Sequence, residues 1–441
     1  MLVSIDFGKE VLEKALRRGV DEAVVRVQER LYESIIFDGG VLRSYDVSRV
    51  VGVGIQVVVK GFVGYSYTSS LSMDAVKEAI DRAVKLARAM ASAGRGSVFA
   101  PVNGVKTVYR TSYSTNPLDV DPSEKVSLVA ELNRLSLGMQ GVVSAVTRFG
   151  AEIDRRVVVS SYGAEAFEEI VGVGISHLAV ARFGDVMERV YDQRSFIAGY
   201  EAIKGFDWQT FVKEVSELAV KASRARVPKP GAYRAVIDNE LIGLMLHEAF
   251  GHASEGDLVM YREPVLYGKL GTKIASELVT IVDDGLAEGG YPVPFDDEGV
   301  AKRRTVVVEK GALRTFLYDT YTASIEGKES TGNARRMGVA NVFPSPTNII
   351  VLPGTSSLDS IVKDVRRGIV VYGTIGEWLS NPVSGLLNAT VTNGLLVENG
   401  EVKQAVKGVV IGGDIYKLFK DHVVALSKEF EAVGNYLGQQ Y

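Results

Sequence analysis

Cysteine is missing from all 441 residues, and histidine occurs only four times. The chain therefore forms no disulfide bond and supplies neither a thiol nucleophile nor a thiolate metal ligand of its own. Acidic residues only slightly outnumber basic ones, and the net charge of −4 leaves no broad positive field to hold a phosphate backbone. We therefore expect no nucleic-acid partner.

Long apolar runs are also missing. No stretch of about eighteen consecutive apolar residues is available to span a membrane, and residues 1–7 lack the basic and apolar regions of a signal peptide. We therefore expect a cytoplasmic protein with no membrane contact. The composition, 46% hydrophobic and 24% charged, is that of a globular protein, and the length favours more than one domain.

The first hundred residues alternate between helical and strand patterns. Apolar residues at helical spacing predict helices over 7–18 and 74–90, and β-rich segments with glycine turns predict the intervening strands. These strands cover residues 23–28, 34–38, 41–45, 50–59 and 62–67. The pattern indicates an antiparallel meander with helices packed on one face.

A short repeat links this segment to the next one. The sequence Val-Gly-Val-Gly-Ile occurs at residues 51–55 and again at 171–175, each time after a glycine-turned hairpin. An ancient duplication and a chance match are both open interpretations. The third glycine of a dinucleotide-binding fingerprint is absent, which argues against that function.

Glycine- and proline-rich connectors at 92–105 and 227–231 predict three segments. They span residues 1–100, 101–227 and 228–441. The expected fold class is α+β, with N-terminal antiparallel-sheet and helix units followed by a mixed, β-rich C-terminal domain. We expect helices at 208–226 and, closing the chain, at 416–434.

The chemistry of the C-terminal segment centres on two histidines. Asp238 or Asn239 is placed to cap a buried apolar helix that ends at His247, Glu248 and His252. Two imidazoles and a carboxylate in an apolar setting need partners, because unsatisfied polar groups there cost about 1–3 kcal/mol or more. A metal ion is one such partner, and a hydrogen-bonded pair without metal is the other.

The spacing of the two histidines is unusual. Zinc peptidases commonly use HExxH, which puts both imidazoles on one face of a helix. Here the histidines are five apart, and residues at that spacing on a regular α-helix diverge by about 140°. The helix must therefore widen through a π-type turn or unwind at Gly251 before the two rings share an ion.

Several segments together resemble one known family. They are HEAFGHASEGD at 247–257, STGNARR at 330–336, NPVSG at 381–385 and LLVENGEVKQAVKG at 395–408. These stretches are similar to the TldD/PmbA family, in particular to TldD-type members with an HExxxH motif. The resemblance extends over nearly the whole chain.

The resemblance implies a zinc-dependent peptidase that acts on unfolded or flexible peptides. His247 and His252 would be zinc ligands, and Glu248 would be the general base that takes a proton from metal-bound water. The family also implies a two-fold assembly, with a PmbA/TldE-type paralogue or with a second copy. Peptide capture by β-strand addition is expected next to the metal.

One family feature is absent from this sequence. The family's third zinc ligand is a cysteine that follows a segment resembling residues 431–438, and the 441 residues contain none. Either the sequence is truncated just short of this cysteine, or this member has lost it. Glu255 or Asp257 could substitute for it, or could instead hold one of the ligands in place. The alternative to an active peptidase is a catalytically impaired subunit that binds peptides or stabilises a partner.

Other polar residues are weighed against simpler roles. Asn333, Arg335 and Arg336 are candidates for binding the backbone or carboxylate of a substrate, since arginine forks suit carboxylates. A solvated loop or a subunit contact is the alternative. His177 and His422 are expected to be ordinary packed or surface histidines.

Overall fold

The computed structural model describes residues 3–92, 102–263, 265–336, 338–339, 341–381 and 384–433. In the described residues of the N-terminal half, five helices accompany one seven-stranded sheet. In chain order the elements are α1 (Ile5–Leu16), β1 (Glu22–Asp38), β2 (Val41–Val59), β3 (Phe62–Thr68), α2 (Met73–Ala91), β4 (Lys106–Arg110), α3 (Pro122–Leu137), β5 (Val142–Ser160), β6 (Glu165–Phe183), β7 (Val186–Phe196), α4 (Glu201–Gly205) and α5 (Trp208–Ser223).

Local sequence signals account for most of these boundaries. Side chains of Ser4, Ser72, Asp121 and Asp207 accept the hydrogen bonds that cap α1, α2, α3 and α5. The predicted apolar stripe of α2 is completely or almost completely buried against the sheet, at Val76, Ala79, Ile80, Ala83, Val84 and Ala87. Helix α3 has no counterpart among our sequence predictions.

The sheet is built from two long hairpins. Strands β1 and β2 pair antiparallel and turn at Gly39 and Gly40, whose φ values of 59° and 82° suit a tight hairpin turn. Strands β5 and β6 form the second hairpin, and β1 joins the two by pairing with β5. The two strands predicted at 23–28 and 34–38 are therefore one continuous strand.

The element order supports the duplication interpretation. Three consecutive strands between helices occur twice, as α1-β1-β2-β3-α2 and as α3-β5-β6-β7 followed by α4 and α5. The repeated pentapeptide lies in the second strand of each set, in β2 and in β6. The sheet runs β3-β2-β1-β5-β6-β4, with β7 also paired to β6, so both sets share it.

The two faces of the sheet have different partners. Alternate residues such as Val25 and Val157 pack in one apolar core with α1 and α2, while α3 and α5 cover a second core further along the same face. The opposite face carries the buried charges of Arg26 and Arg156 and meets the C-terminal domain, whose Phe295 packs against it.

The C-terminal domain is a mixed, strand-rich unit. Its sheets have the orders β11-β10-β9-β14, β12-β13 and β17-β16-β15-β8, with β18 also paired to β16. The elements are β8 (Arg234–Ile237), α6 (Asn239–Leu246), α7 (Gly256–Met260), β9 (Ile281–Asp283), β10 (Thr305–Glu309), β11 (Ala312–Leu313), α8 (Thr320–Ile325), β12 (Ala334–Arg336), β13 (Val342–Pro344), β14 (Ile349–Val351), α9 (Leu358–Lys363), β15 (Arg367–Asn381), β16 (Leu386–Glu398), β17 (Glu401–Val406), β18 (Val410–Asp414) and α10 (Ile415–Lys417). The predicted α+β class is thus confirmed.

The long terminal helix predicted at 416–434 is wrong. Helix α10 ends at Lys417, a π turn covers Leu418–His422, and residues 423–433 are not helical. The reason is tertiary, because Gly354 and Lys428 donate backbone hydrogen bonds that tie residues 427–428 to the segment 354–356.

Two other sequence predictions have different outcomes. Most of the predicted connector at 92–105 lies outside the described residues. The predicted helix at 208–226 is present as α5 but ends at Ser223. In the described part of the chain, no helix combines the length and apolarity needed to cross a membrane.

Candidate metal centre

Helix α6 starts directly after β8 and leads into the turn that carries the two histidines. One oxygen of Asp238 accepts a hydrogen bond from the Leu241 N–H at 2.9 Å and thereby caps the helix. The other oxygen accepts from the Gly373 N–H at 2.8 Å, which ties the helix start to β15. Leu241, Met245 and Leu246 are buried, so the apolar side of the helix fixes its position in the core.

The helix widens where the histidines lie. Residues His247–Gly251 form a π turn, in which the His252 N–H donates to the His247 carbonyl five residues earlier. A 3₁₀ turn follows at His252–Ser254. The widened turn is the first of the two geometries that the five-residue spacing requires.

Gly251 has a different role from unwinding the chain. Its φ of −65° is ordinary for a helix. However, a β carbon at this position would lie 3.1 Å from Cγ of Pro346 and 3.3 Å from Cγ1 of Ile349. The glycine therefore allows β14 and the loop before it to pack closely against the turn.

The turn brings three donor side chains together. The ring centroids of His247 and His252 are 4.6 Å apart, and Nε2 of His252 lies 4.0 Å from Oε1 of Glu248. One donor atom from each of these residues lies within 4.8 Å of the other two. Across the described ranges, no other group of three or more such side chains converges as closely.

Burial adjusts the protonation of these donors. Burial, together with a charge on His252, lowers the pKa of His247 to about 4. Burial also raises the pKa of Glu248. His247 is therefore a neutral imidazole at neutral pH, which is the form that binds metal ions.

His252 is held by Glu255. Its Nδ1 lies 2.7 Å from Oε1 of Glu255, whose side chain is 10% exposed. Burial alone lowers the pKa of His252, but the hydrogen bond and charge of Glu255 outweigh it and raise the pKa overall. With Nδ1 engaged by a carboxylate, Nε2 is the nitrogen left to face Glu248 and a metal ion.

Asp257 has a weaker connection to the site. Its carboxylate accepts a hydrogen bond from the Leu258 N–H at 2.9 Å, and burial raises its pKa. It belongs to no described hydrogen bond or ion pair with either histidine. Of the two acidic residues that the sequence suggested, Glu255 is the one that contacts a histidine.

The STGNARR stretch at 330–336 is more buried than a solvated loop, which was one of the roles expected for it. Asn333 is fully buried, and its amide donates to Asp283 at 2.7 Å and to the Ser345 carbonyl at 2.8 Å. Its oxygen accepts from Lys302 at 2.8 Å. This arrangement favours a role in holding loops together over direct contact with a substrate.

Arg335 and Arg336 lie on β12. Nη1 of Arg335 is buried, and the charge of this side chain interacts electrostatically with the buried Arg26 and Glu168 of the N-terminal sheet. The side chain of Arg336 lies outside the described residues. The role of both arginines in substrate binding stays a prediction.

A buried hub around Asp283 was not predicted from the sequence. Asp283 is fully buried, receives hydrogen bonds from Lys302, Asn333 and Thr347, and raises the pKa of His247 through its charge. Its partners lie 19 to 64 residues away along the chain. No local spacing signals such a hub, and only the strand end at Asp283 was visible in the sequence.

The remaining two histidines lie elsewhere. His177 is fully buried on β6, where its Nδ1 lies 2.9 Å from Oγ1 of Thr147, and burial lowers its pKa to about 4. His422 is exposed in the π turn near the end of the described chain. Both positions agree with the ordinary packed and surface roles expected for them.

Comparisons with known proteins cover almost the whole chain. Residues 23–90 match the PmbA/TldA metallopeptidase domain 1, residues 115–223 match the central domain, and residues 230–438 match the C-terminal domain. The matched C-terminal range contains the complete His247–His252 turn.

Similar proteins are named as metalloproteases. A metalloprotease of Methanocaldococcus jannaschii is 28% identical over 433 residues, which are 98% of this chain and 94% of that protein. A zinc metalloprotease TldD homolog of Saccharolobus solfataricus is 26% identical over 71% of this chain and 70% of its own length.

A solved structure shares the fold. TldE from Thermococcus kodakarensis superposes with a TM-score of 0.78 at 25% identity and covers 96% of this chain and 94% of its own. Three consecutive domain matches, metalloprotease relatives and this shared fold lead to one assignment. The chain belongs to the PmbA/TldD family, and relatives that it resembles along most of its length are named metalloproteases.

Proposed function

We propose that this chain is a zinc-dependent peptidase subunit that hydrolyses unfolded or flexible peptides, with Glu248 as its general base. The observation that carries the proposal is the convergence of His247, Glu248 and His252 within 4.8 Å on a widened turn. Imidazole and carboxylate groups are donors that zinc accepts. A zinc metalloprotease name among the relatives supports the same metal.

His247 and His252 would hold the ion, because both present neutral or hydrogen-bonded imidazoles to the same side of the turn. The Glu255 carboxylate fixes the ring of His252 through Nδ1, so that Nε2 is the free donor. When bound, zinc lowers the pKa of a coordinated water to about 7 and so supplies a nucleophile at neutral pH.

Glu248 would then move the protons. Its side chain is 23% exposed and follows His247 directly in the chain, so it reaches both the donor set and solvent. It would accept the proton of the attacking water and later deliver it to the leaving amine of the cut peptide.

Peptide capture by β-strand addition is part of the proposal. Strand β7 pairs with β6, and Asp192 on β7 acts electrostatically on Glu240, which lies seven residues before His247. Seven residues are about two helical turns, so both side chains lie on a similar side of the helix. We propose that an extended peptide, paired to a strand edge on this side of the helix, lies next to the metal centre.

The assembly and location are proposed from the family. The fold shared with TldE supports a two-fold assembly, formed with a PmbA/TldE-type paralogue or with a second copy. We propose a cytoplasmic location and the domain division at residues 100 and 227. We propose that neither nucleic acid nor a membrane is a partner, in line with the net charge of −4 and the lack of long apolar runs.

A second candidate function is a catalytically impaired subunit that binds peptides or stabilises a partner. The observation that favours it is the absence of cysteine, since catalytic zinc sites usually have three protein ligands and this turn offers two imidazoles. Such a site would hold zinc more weakly than a three-ligand site. Zinc uptake and cleavage must therefore be measured together.

The test uses the full chain and three variants. Zinc content after dialysis with supplied zinc is measured by mass spectrometry, and cleavage of an unstructured peptide is followed in parallel. Glu248→Gln should keep zinc and lose about 10²- to 10⁴-fold in rate. His247→Ala should lose both, whereas His422→Ala, the exposed histidine control, should lose neither.

The outcomes separate the two functions. Zinc uptake without cleavage above the His247→Ala background would favour the impaired subunit. If the chain takes up no zinc and all variants behave alike, the peptidase proposal is wrong.

A further inference from the structure

The segment after β18 packs against the back of the metal-binding turn. The Asp414 carboxylate caps α10 by accepting hydrogen bonds from the N–H groups of Tyr416 and Lys417. Tyr416 is 8% exposed, and its hydroxyl donates to the Ala249 carbonyl at 2.6 Å. The chain thus returns, 167 residues later, to the middle of the π turn.

The accepting carbonyl lies where the backbone is least regular. Before it, the His252 N–H reaches back five residues to His247, and after it the Glu255 N–H reaches back three residues to His252. A helix that changes its hydrogen-bond spacing loses the repeating four-residue pattern that normally serves each carbonyl. A side-chain donor at this point stabilises the irregular spacing, because buried carbonyls are costly to leave unpaired.

The Tyr416 ring has little freedom to move away. It meets Phe250 edge-on with centroids 5.7 Å apart, and Phe419 meets the other side of Phe250 at 5.0 Å. A β carbon on Gly385 would lie 2.6 Å from Cδ2 of Tyr416, so the backbone of Gly385 is pressed against the ring. The hydroxyl is therefore fixed in position by packing from two directions.

We propose that Tyr416 is a positioning residue for the metal centre. Its hydroxyl holds the Ala249 carbonyl and thereby keeps the turn widened, so that His247 and His252 stay on one side. This inference rests on the proposed function, since it assigns Tyr416 a role toward the same histidine pair. Tyr416 touches neither reacting atoms nor ligands, and it acts through the backbone of the turn.

The experiment compares two tyrosines of the same core. Tyr416→Phe removes the hydroxyl that bonds to the turn. Tyr318→Phe is the matched control, because Tyr318 is 1% exposed and its hydroxyl makes no hydrogen bond within the described part of the chain. Phe419→Leu trims the same packing without touching the Tyr416 hydroxyl.

Three measurements are made on each full-length, folded variant. Zinc affinity is obtained by chelator competition, and the visible spectrum of the Co²⁺-loaded protein reports the arrangement of the ligands. Thermal unfolding without metal reports stability alone. For Tyr416→Phe we expect zinc affinity about five- to tenfold weaker and a changed Co²⁺ spectrum. Tyr318→Phe should match wild type, and Phe419→Leu should lose stability but keep zinc affinity.

Each outcome decides the matter. Wild-type zinc affinity and an unchanged Co²⁺ spectrum in Tyr416→Phe would overturn the role of the hydroxyl. An equal loss of affinity in Phe419→Leu would also overturn it, because packing alone would then explain the effect. If the wild-type chain itself takes up no zinc, the proposed function fails first and this role falls with it.

Discussion

Two buried polar clusters in this protein differ in how their charges are matched. Between the N-terminal sheet and the C-terminal domain, Arg26 pairs with Asp297 at 2.9 Å and Arg156 contacts Glu168, and these four side chains are 1–4% exposed. In the metal centre, two imidazoles and Glu248 converge, and among the described residues no ion pair joins Glu248 to a lysine or an arginine. The side chains of His252 and Glu248 are 32% and 23% exposed.

The difference shows what marks a functional site. A shifted pKa alone does not mark a functional site, because burial raises the pKa of Glu168 to about 7 at the sheet interface, although Arg156 contacts this carboxylate. At the sheet interface, oppositely charged side chains pair with each other. The metal centre brings together three groups that can each donate an electron pair to a metal ion, and it is partly exposed to solvent. A bound ion would complete this set of groups.

Breaking the buried ion pairs between the N-terminal sheet and the C-terminal domain should have the largest effect on stability. Arg26→Met leaves Asp297 buried without its partner, and we expect the free energy of unfolding to fall by about 3–5 kcal/mol. Adding Asp297→Leu should recover much of that loss, since the uncompensated charge is then gone. Urea denaturation checks both variants.

The control is an exposed ion pair of similar length. Arg18 and Asp81 lie 2.7 Å apart with side chains 41% and 58% exposed, and Arg18→Met should cost less than about 1 kcal/mol. Equal losses for Arg18→Met and Arg26→Met would show that the interface cluster is not the stabilising element that its burial suggests.

Weakening the metal centre should affect metal binding more than stability. Glu255→Gln removes the charge that holds Nδ1 of His252, and zinc affinity should fall by about 10- to 100-fold. Asp257→Asn is the matched change, because Asp257 has no described hydrogen bond or ion pair with a histidine. Chelator competition measures both. A larger loss for Asp257→Asn would identify Asp257, and not Glu255, as the acidic residue that serves the metal.

The metal-binding turn could be predicted because its determinants are local. His252 follows His247 by five residues, and that spacing alone requires the helix either to widen or to unwind before the two rings can share an ion. The apolar stripe of α2 was predictable for the same reason, since helical periodicity is written in a short window. The long strands of the sheet were found in pieces, because glycines and charges interrupt their alternation.

Other features depend on distant residues and were missed. The apolar spacing in 416–434 resembles a helix, yet backbone hydrogen bonds with the segment 354–356 keep residues 427–428 extended. Asn333 looked like an exposed substrate contact, whereas its partners Asp283 and Lys302 bury it completely. Tyr416 was treated only as the start of a helix, and its bond to Ala249 spans most of the C-terminal domain.

Three glycines show how tightly the backbone is packed at the sheet interface, at the metal-binding turn and on α6. At the sheet interface, a β carbon on Gly54 would lie 2.8 Å from the Tyr65 hydroxyl and 3.0 Å from the Val339 carbonyl oxygen, whereas at Gly251 the closest atom would be 3.1 Å away. Gly243, on α6, has no atom within 4 Å of the same position. Packing is thus tightest at the interface, slightly looser at the turn and open on the helix.

Alanine at these positions should follow that order. We expect Gly54→Ala to cost about 2 kcal/mol and Gly251→Ala about 1 kcal/mol, because extra volume in a packed site forces its neighbours to move. Gly243→Ala should instead stabilise the protein by about 0.5–1 kcal/mol, since alanine favours a helix interior. Denaturant unfolding ranks the three variants. If Gly251→Ala were as stabilising as Gly243→Ala, the turn would have room to relax, and close packing by Pro346 and Ile349 would not be what holds the two histidines together.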